Sequence, residues 1–228
     1  MSLIDEAIQK PEIRIKKAIR ILYWFFASIM LLTVAYAWIW YPEPYEFFQE
    51  FISNLGARVS EHESLPNDIS SLIISIGFGI CALISLVIAI VYLTKPKLKF
   101  NYWKSFMNFI MFIGAIGVGI PKDQPIIHPL HGIGAALFMV VFGFLNFVHQ
   151  RLRFTRKYKP ASFERTKDFY LDSVITVVVF VVLVLFIVFY ALGKLLDNSV
   201  LIIFGTTYQK IALLVNFFAI LILDLEDI

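Results

Sequence analysis

Residues 173–193 read Ser-Val-Ile-Thr-Val-Val-Val-Phe-Val-Val-Leu-Val-Leu-Phe-Ile-Val-Phe-Tyr-Ala-Leu-Gly, a stretch that carries no charge and is almost entirely Val, Ile, Leu and Phe. A helix needs ~20 mostly apolar residues to cross a hydrocarbon layer ~30 Å thick. The run is apolar on all sides and lacks the alternation of a membrane β-strand. A closed helix also satisfies its own backbone groups, which is why lipid permits it. Working outward, five comparable runs appear at 21–41, 69–94, 105–121, 132–148 and 200–223. The reading is an all-α, polytopic membrane protein: a six-transmembrane helix bundle in one domain, 21–223. An amphipathic lead-in, 1–20, precedes it, and a short acidic tail, 224–228, follows. Of the 228 residues 59% are hydrophobic and 16% charged, against about 25% charged in a soluble domain. That deficit fits a chain whose main solvent is lipid.

Lys and Arg set the orientation of such a bundle. They gather in the first 20 residues, in the 95–104 connection and in the 151–167 connection; Arg58, Lys122, Lys194 and Lys210 are the exceptions among 20. Both termini and the basic connections are therefore expected in the cytoplasm. The 42–68 and 121–131 connections and a short turn near 194–199 are expected outside. The first apolar run exceeds the 7–15 residues of a signal-peptide core, although Ala35-Tyr36-Ala37 superficially resembles a cleavage site. Cys81 allows no intramolecular disulfide and reads as a small buried hydrophobe. The basic 151–167 connection reads as a topology signal that could also attract anionic headgroups.

Small residues let helices in lipid approach closely. Ala115-x-x-x-Gly119 and Gly132-x-x-x-Ala136 flank the 121–131 connection and predict contact between the third and fourth helices; Ser75-x-x-x-Gly79 offers a similar face on the second.

Polar residues that gather at the outer end are functional suspects. In 45–57, Tyr-Glu-Phe-Phe-Gln-Glu-Phe-Ile-Ser-Asn-Leu-Gly-Ala, residues Phe47, Phe48, Phe51, Ile52 and Leu55 repeat at helical spacing. They predict a short amphipathic helix in the interface, ended by Gly56. The 119–132 hairpin holds Asp123, His128 and His131, with Pro121, Pro125 and Pro129 opposing a continuous helix. Asp123 is placed to orient an imidazole, the arrangement of a general base. Lys210 lies 13 residues before Leu223, about 20 Å above the inner boundary, and must snorkel or pair; Asp123 is the expected partner. Glu61, His62 and Glu63, together with the hairpin, could supply zinc ligands, but nothing in the spacing demands a metal. His131 and His149 stand too far apart on one helix for bis-histidine haem. No phosphate loop, nucleophile elbow or zinc-protease helix is present. No cofactor is indicated.

Ser53-Asn54-Leu55-Gly56-Ala57 with Asn67, Gly119-x-Pro121-x-Asp123 followed by His131-Gly132-x-x-Ala135, and Gly205-x-x-Tyr208-Gln209-Lys210 stand in an order and spacing that resemble a six-span bacterial and archaeal membrane family, domain-of-unknown-function family 998. That family is similar to the wider Frag/DRAM/Sfk superfamily. The resemblance covers about 20–225. It implies a six-helix fold and, from eukaryotic members of the wider group, roles in glycolipid-anchor remodelling, autophagy or lipid organisation. Ser53, Asn67, Asp123, His131, Gln209 and Lys210 match the motif positions. His128 is an addition, and Lys210 stands where the pattern has Arg, which weakens bidentate phosphate recognition.

The functional expectation is a multi-pass protein of the cell membrane that binds or remodels lipid at its outer end. Asp123, His131 and Lys210 would be the catalytic groups; Ser53, Asn67, His128 and Gln209 would contact substrate. Membrane lipids are the expected partners, and nucleic acid is not. A non-enzymatic scaffold, with the polar cluster as an internal clamp, is the alternative. Transport ranks lower, since the inverted repeats common in carriers are not seen.

Overall fold

The computed structural model describes residues 3–123, 128–158, 167–223 and 225, and the side chains of all of these except 3–11, 128, 156, 167 and 168. Six helices follow one another: α1 (Leu3–Ile39), α2 (Asp68–Thr94), α3 (Asn101–Gly119), α4 (His128–Lys157), α5 (Lys167–Leu195) and α6 (Ser199–Leu221). Among the described residues there is no strand, only an isolated bridge between Val59 and Pro66. Each helix packs on the next, and α6 returns to touch α1 and α4.

Five helices are long and apolar enough to cross a membrane: α1 from Glu12, α2, α4 from Pro129 to Thr155, α5 from Phe169, and α6. The protein is thus an all-helical chain of membrane type. The sixth, α3, is less apolar for a structural reason. Its Asn101, Lys104, Ser105 and Asn108 are buried against neighbouring helices, so its polar groups face protein. Lys104, read from sequence as part of the basic flank, is 1% exposed. Its ammonium lies 5.4 Å from the centre of the Tyr92 ring. Asn108 beside it donates to Tyr23 Oη at 2.8 Å.

Two helices run well beyond the apolar runs that announced them. α1 continues unbroken through the expected lead-in, and α4 starts at His128 and runs to Lys157. Pro129 sits in the first turn of α4, where its missing N–H costs nothing. His128 and His131 therefore both lie in α4, three residues apart. The α5–α6 turn is as short as expected: Asn198 caps α6 by accepting from Leu201 N at 3.1 Å, a standard helix-start device.

The core is aromatic where α1, α2 and α4 meet. Phe138 stacks on Phe142 at 5.8 Å and meets Phe26 and Phe78 at 5.9 and 5.3 Å. Cys81 is fully buried beside Phe26. Close approach of α3 and α4 occurs as predicted, but on other glycines. A Cβ at Gly117 would stand 2.5 Å from Gly134 Cα, and one at Gly114 would stand 2.7 Å from Phe138 N. Gly79 and Gly132 face open space, and Ser75 instead donates to Gly119 O at 2.7 Å.

The end bearing the basic residues is fastened by Asp172 of α5. It meets Arg153 at 3.4 Å, Lys157 at 3.1 Å and the Tyr158 hydroxyl at 3.0 Å. Asn146 donates to Asn216 Oδ1 at 2.9 Å, and Gln150 to Ala219 O at 2.7 Å, tying α4 to α6. Near mid-length, α4 and α5 are tight. Phe147 and Phe180 lie 4.9 Å apart, and a Cβ on Gly143 would meet Leu183 Cδ1 at 2.7 Å.

Gly117→Ala drives a methyl into the α4 backbone and should lower stability by about 1–3 kcal/mol, as overpacked sites do. Gly79→Ala meets nothing and should not. Thermal midpoints of both variants in detergent check the contrast.

Candidate functional site

At the opposite end, residues 41–67 form an irregular strap over the bundle. The expected amphipathic helix is absent: 47–50 is a turn, and only Ile52–Gly56 forms a single 3₁₀ turn. The cause lies in α6. Thr206 Oγ1 donates to Phe48 O, Lys210 Nζ and Tyr45 Oη both donate to Glu50 O, and Gln209 Oε1 accepts from Ile52 N at 3.0 Å. The groups a regular helix would pair internally are thus taken by side chains. Thr206 and Lys210 lie about 10 and 16 Å along α6 from Ser199, so the strap dips well down the bundle. Non-helical backbone at such depth is tolerated only inside protein, and Glu50, Ile52, Asn54, Leu55 and Ala57 are all buried.

The start of α2 grips the next part of the strap. Asn67 Nδ2 donates to Leu55 O and Ala57 O at 3.1 and 2.7 Å, Ser70 to Leu55 O at 2.8 Å, and Ser71 to Gly56 O at 2.9 Å. The 58–67 segment is held from two sides. Asp123 Oδ2 accepts from Arg58 N and Val59 N at 2.8 and 3.0 Å. Glu43, also buried, accepts from Ser60 Oγ at 3.0 Å, His62 N at 3.0 Å and Glu63 N at 2.8 Å. Burial works against the Glu43 charge, yet the His62 and Glu63 amides and the Ser60 hydroxyl outweigh it and hold the carboxyl below its ordinary range.

The predicted trio therefore does not assemble. Asp123 caps strap amides, while Lys210 reaches Glu50 O and Thr206 O and lies 5.5 and 5.3 Å from the centres of the Tyr45 and Phe47 rings. The expected Asp123–Lys210 pair is not formed, because each group meets backbone closer to hand. Asp123 does not orient His131 either: His131 Nδ1 lies 2.6 Å from Ile120 O. A carbonyl only accepts, so Nδ1 carries the proton and Nε2 of the neutral ring is the acceptor nitrogen. Asn67, expected at substrate, is 2% exposed and holds backbone. The side chain of His128 lies outside the described residues.

A cavity of about 450 Å³ opens between α4 and α5 beneath the strap. Phe51, Ser53 and Asn54 of the strap, Lys122, His131 of α4, Lys194 of α5 and Gln209 of α6 supply its upper lining; Ala135, Ala136, Val140, Phe186 and Ile187 supply an apolar wall. Val140, Ile187 and Ala191 are exposed at its mouth, so it opens sideways on the outer face of the bundle. Ser53, His131 and Gln209 were predicted; Asn54, Lys122 and Lys194 were missed. Lys122 donates to Asn54 Oδ1 at 2.7 Å and pairs with Glu61. Among the described residues no group of three or more His, Cys, Asp or Glu is placed to hold a metal. No family model, curated protein or solved structure matches this chain.

Lys210→Met should take from Glu50 O one of its two donors and lower stability by about 1–3 kcal/mol, seen as a reduced thermal midpoint. Glu43 yields a pH signature. Its folded-state pKa lies below the unfolded value, so its stabilisation is complete above the ordinary glutamate range and fades as pH falls through the depressed value. Glu43→Gln should flatten that acid-side loss when thermal midpoints are compared from pH 7 downward.

Proposed function

We propose that the chain is a six-span integral membrane protein, with both termini cytoplasmic, that binds a membrane lipid in the cavity between α4 and α5 at its extracytoplasmic end. The observation that carries this reading is the cavity's make-up: polar groups from the strap, α4, α5 and α6, an apolar wall beside them and a mouth on the bundle's outer face. Ligand sites typically combine an apolar lining with a few placed polar groups. A lipid matches both halves at once.

The basic residues at the Asp172 end support the orientation, and α3 serves as the sixth span because its buried face hides its polar groups from lipid. At 19 residues it is about 28 Å long, close to the hydrocarbon thickness. Lipid organisation is also what the resemblance to the six-span family implies.

A second reading is favoured by a separate observation. Asp123, Asn67 and Lys210 are all committed to strap backbone, as a structural clamp requires. The two readings divide the residues: the clamp builds the roof, and the cavity beneath it takes the ligand. His131 is the one member of the proposed trio left at the cavity, and binding is the role its position supports.

A phospholipid bearing a photoreactive group on its acyl chain should label residues 132–140 and 186–191. Ala136→Trp, which fills the apolar wall, should reduce that labelling several-fold without unfolding the protein. Uniform labelling of all lipid-facing helices, unchanged in the variant, would refute a specific site.

A further inference from the structure

Most polar side chains of the strap end are committed to backbone or to one another, and three that keep free groups line the same cavity. Among the described residues Ser53 Oγ and Lys194 Nζ have no hydrogen-bond or ion-pair partner. Gln209, 7% exposed, uses its Oε1 on Ile52 N and has no acceptor for its amide N–H groups. All three residues line the cavity. Lys122 joins them, two of its donations taken by Asn54 and Glu61. Among the described residues no Asp or Glu lines the cavity.

Lys194 is exposed and Ser53 half-buried, so what sets them apart is not burial but their place at one cavity with Gln209. Here the vacant groups are a cationic ammonium, an amide N–H₂ and a hydroxyl. They offer hydrogens and positive charge to a ligand rich in acceptors, which is how proteins hold phosphate. We infer that the occupant is an anionic glycerophospholipid. Its phosphate meets Lys194, Gln209 and Ser53, and one acyl chain covers Val140, Phe186 and Ile187. The inference rests on the lipid reading of this cavity and adds the charge of the headgroup. A zwitterionic lipid brings the same phosphate with an ammonium, for which the lining holds no carboxylate. A free phosphate ion would satisfy the donors and leave the apolar wall uncovered.

The test titrates delipidated full-length protein in detergent with phosphatidylglycerol, with phosphatidylcholine of the same chains, and with inorganic phosphate. Binding is read by native mass spectrometry and by the shift in thermal midpoint. Phosphatidylglycerol should bind about tenfold more tightly than phosphatidylcholine, a difference of about 1.4 kcal/mol, and inorganic phosphate should give no shift. Lys194 is exposed and makes no contact of these kinds within the protein, so Lys194→Gln should fold normally. It should weaken both lipids, which share the phosphate, and bring their affinities together. Equal binding of the two lipids by the natural chain, or a preference that survives in Lys194→Gln, overturns the inference but leaves lipid binding standing. A shift with inorganic phosphate as large as that with phosphatidylglycerol overturns the choice of a lipid. Binding of neither lipid overturns this inference and the lipid reading together.

Discussion

Everything at the strap end depends on α6 side chains satisfying the backbone of another segment. Strap residues 48–52 dip alongside α6 without regular secondary structure, where water is scarce and an unpaired carbonyl or amide is costly. Thr206, Gln209 and Lys210 take over those groups from one face of α6. Because this face is fixed by helix geometry, the register of the strap is fixed with it. Asn67, Ser70 and Ser71 repeat the device from α2, and Asp123 repeats it with the opposite polarity. The result is a rigid cap made of irregular chain, and its underside, Phe51 to Asn54, is the roof of the cavity.

That arrangement explains why charged and amide residues appear in an otherwise apolar chain: many of them satisfy the backbone of the strap. A lone ammonium in a membrane helix invites a carboxylate partner in any reading of the sequence. Here the ammonium of Lys210 meets a carbonyl shared with Tyr45 Oη and two aromatic faces. Glu50 is close by and draws on the amide of Glu46 and on Asn54 Nδ2. The polar network is therefore architectural, and the groups left over at its edge are those that face the cavity.

The helices were legible because each apolar run is long and its ends are marked by charge or proline. Their true limits were less so, since α4 carries on past its apolar stretch into Arg151–Lys157, where Asp172 compensates the charge. The strap was not legible. The spacing of Phe47, Phe51 and Leu55 is helical, but the conformation is imposed by side chains more than 150 residues away. Lys104 misled for a similar reason: a lysine beside a run looks like a flank until neighbouring helices bury it. Of the candidate site, Ser53, His131 and Gln209 were visible as motif residues. Lys122 and Lys194 left one trace, their place among the few basic residues outside the N-terminal segment and the two basic connections. Their convergence is a matter of how α4 and α5 diverge, which one sequence does not encode in any local pattern.

The seam between α4 and α5 is shut where Leu183 packs on Gly143 and Phe147 meets Phe180, and open from Val140 upward. It is a slot with a floor. From His131 to Val140 the helix rises about 14 Å, so a hydrocarbon tail hanging from the roof reaches bottom after that distance. With the proposed lipid in place such a slot would act as a gauge: a longer tail would bend out through the side into the bilayer, and a shorter one would leave empty space below it.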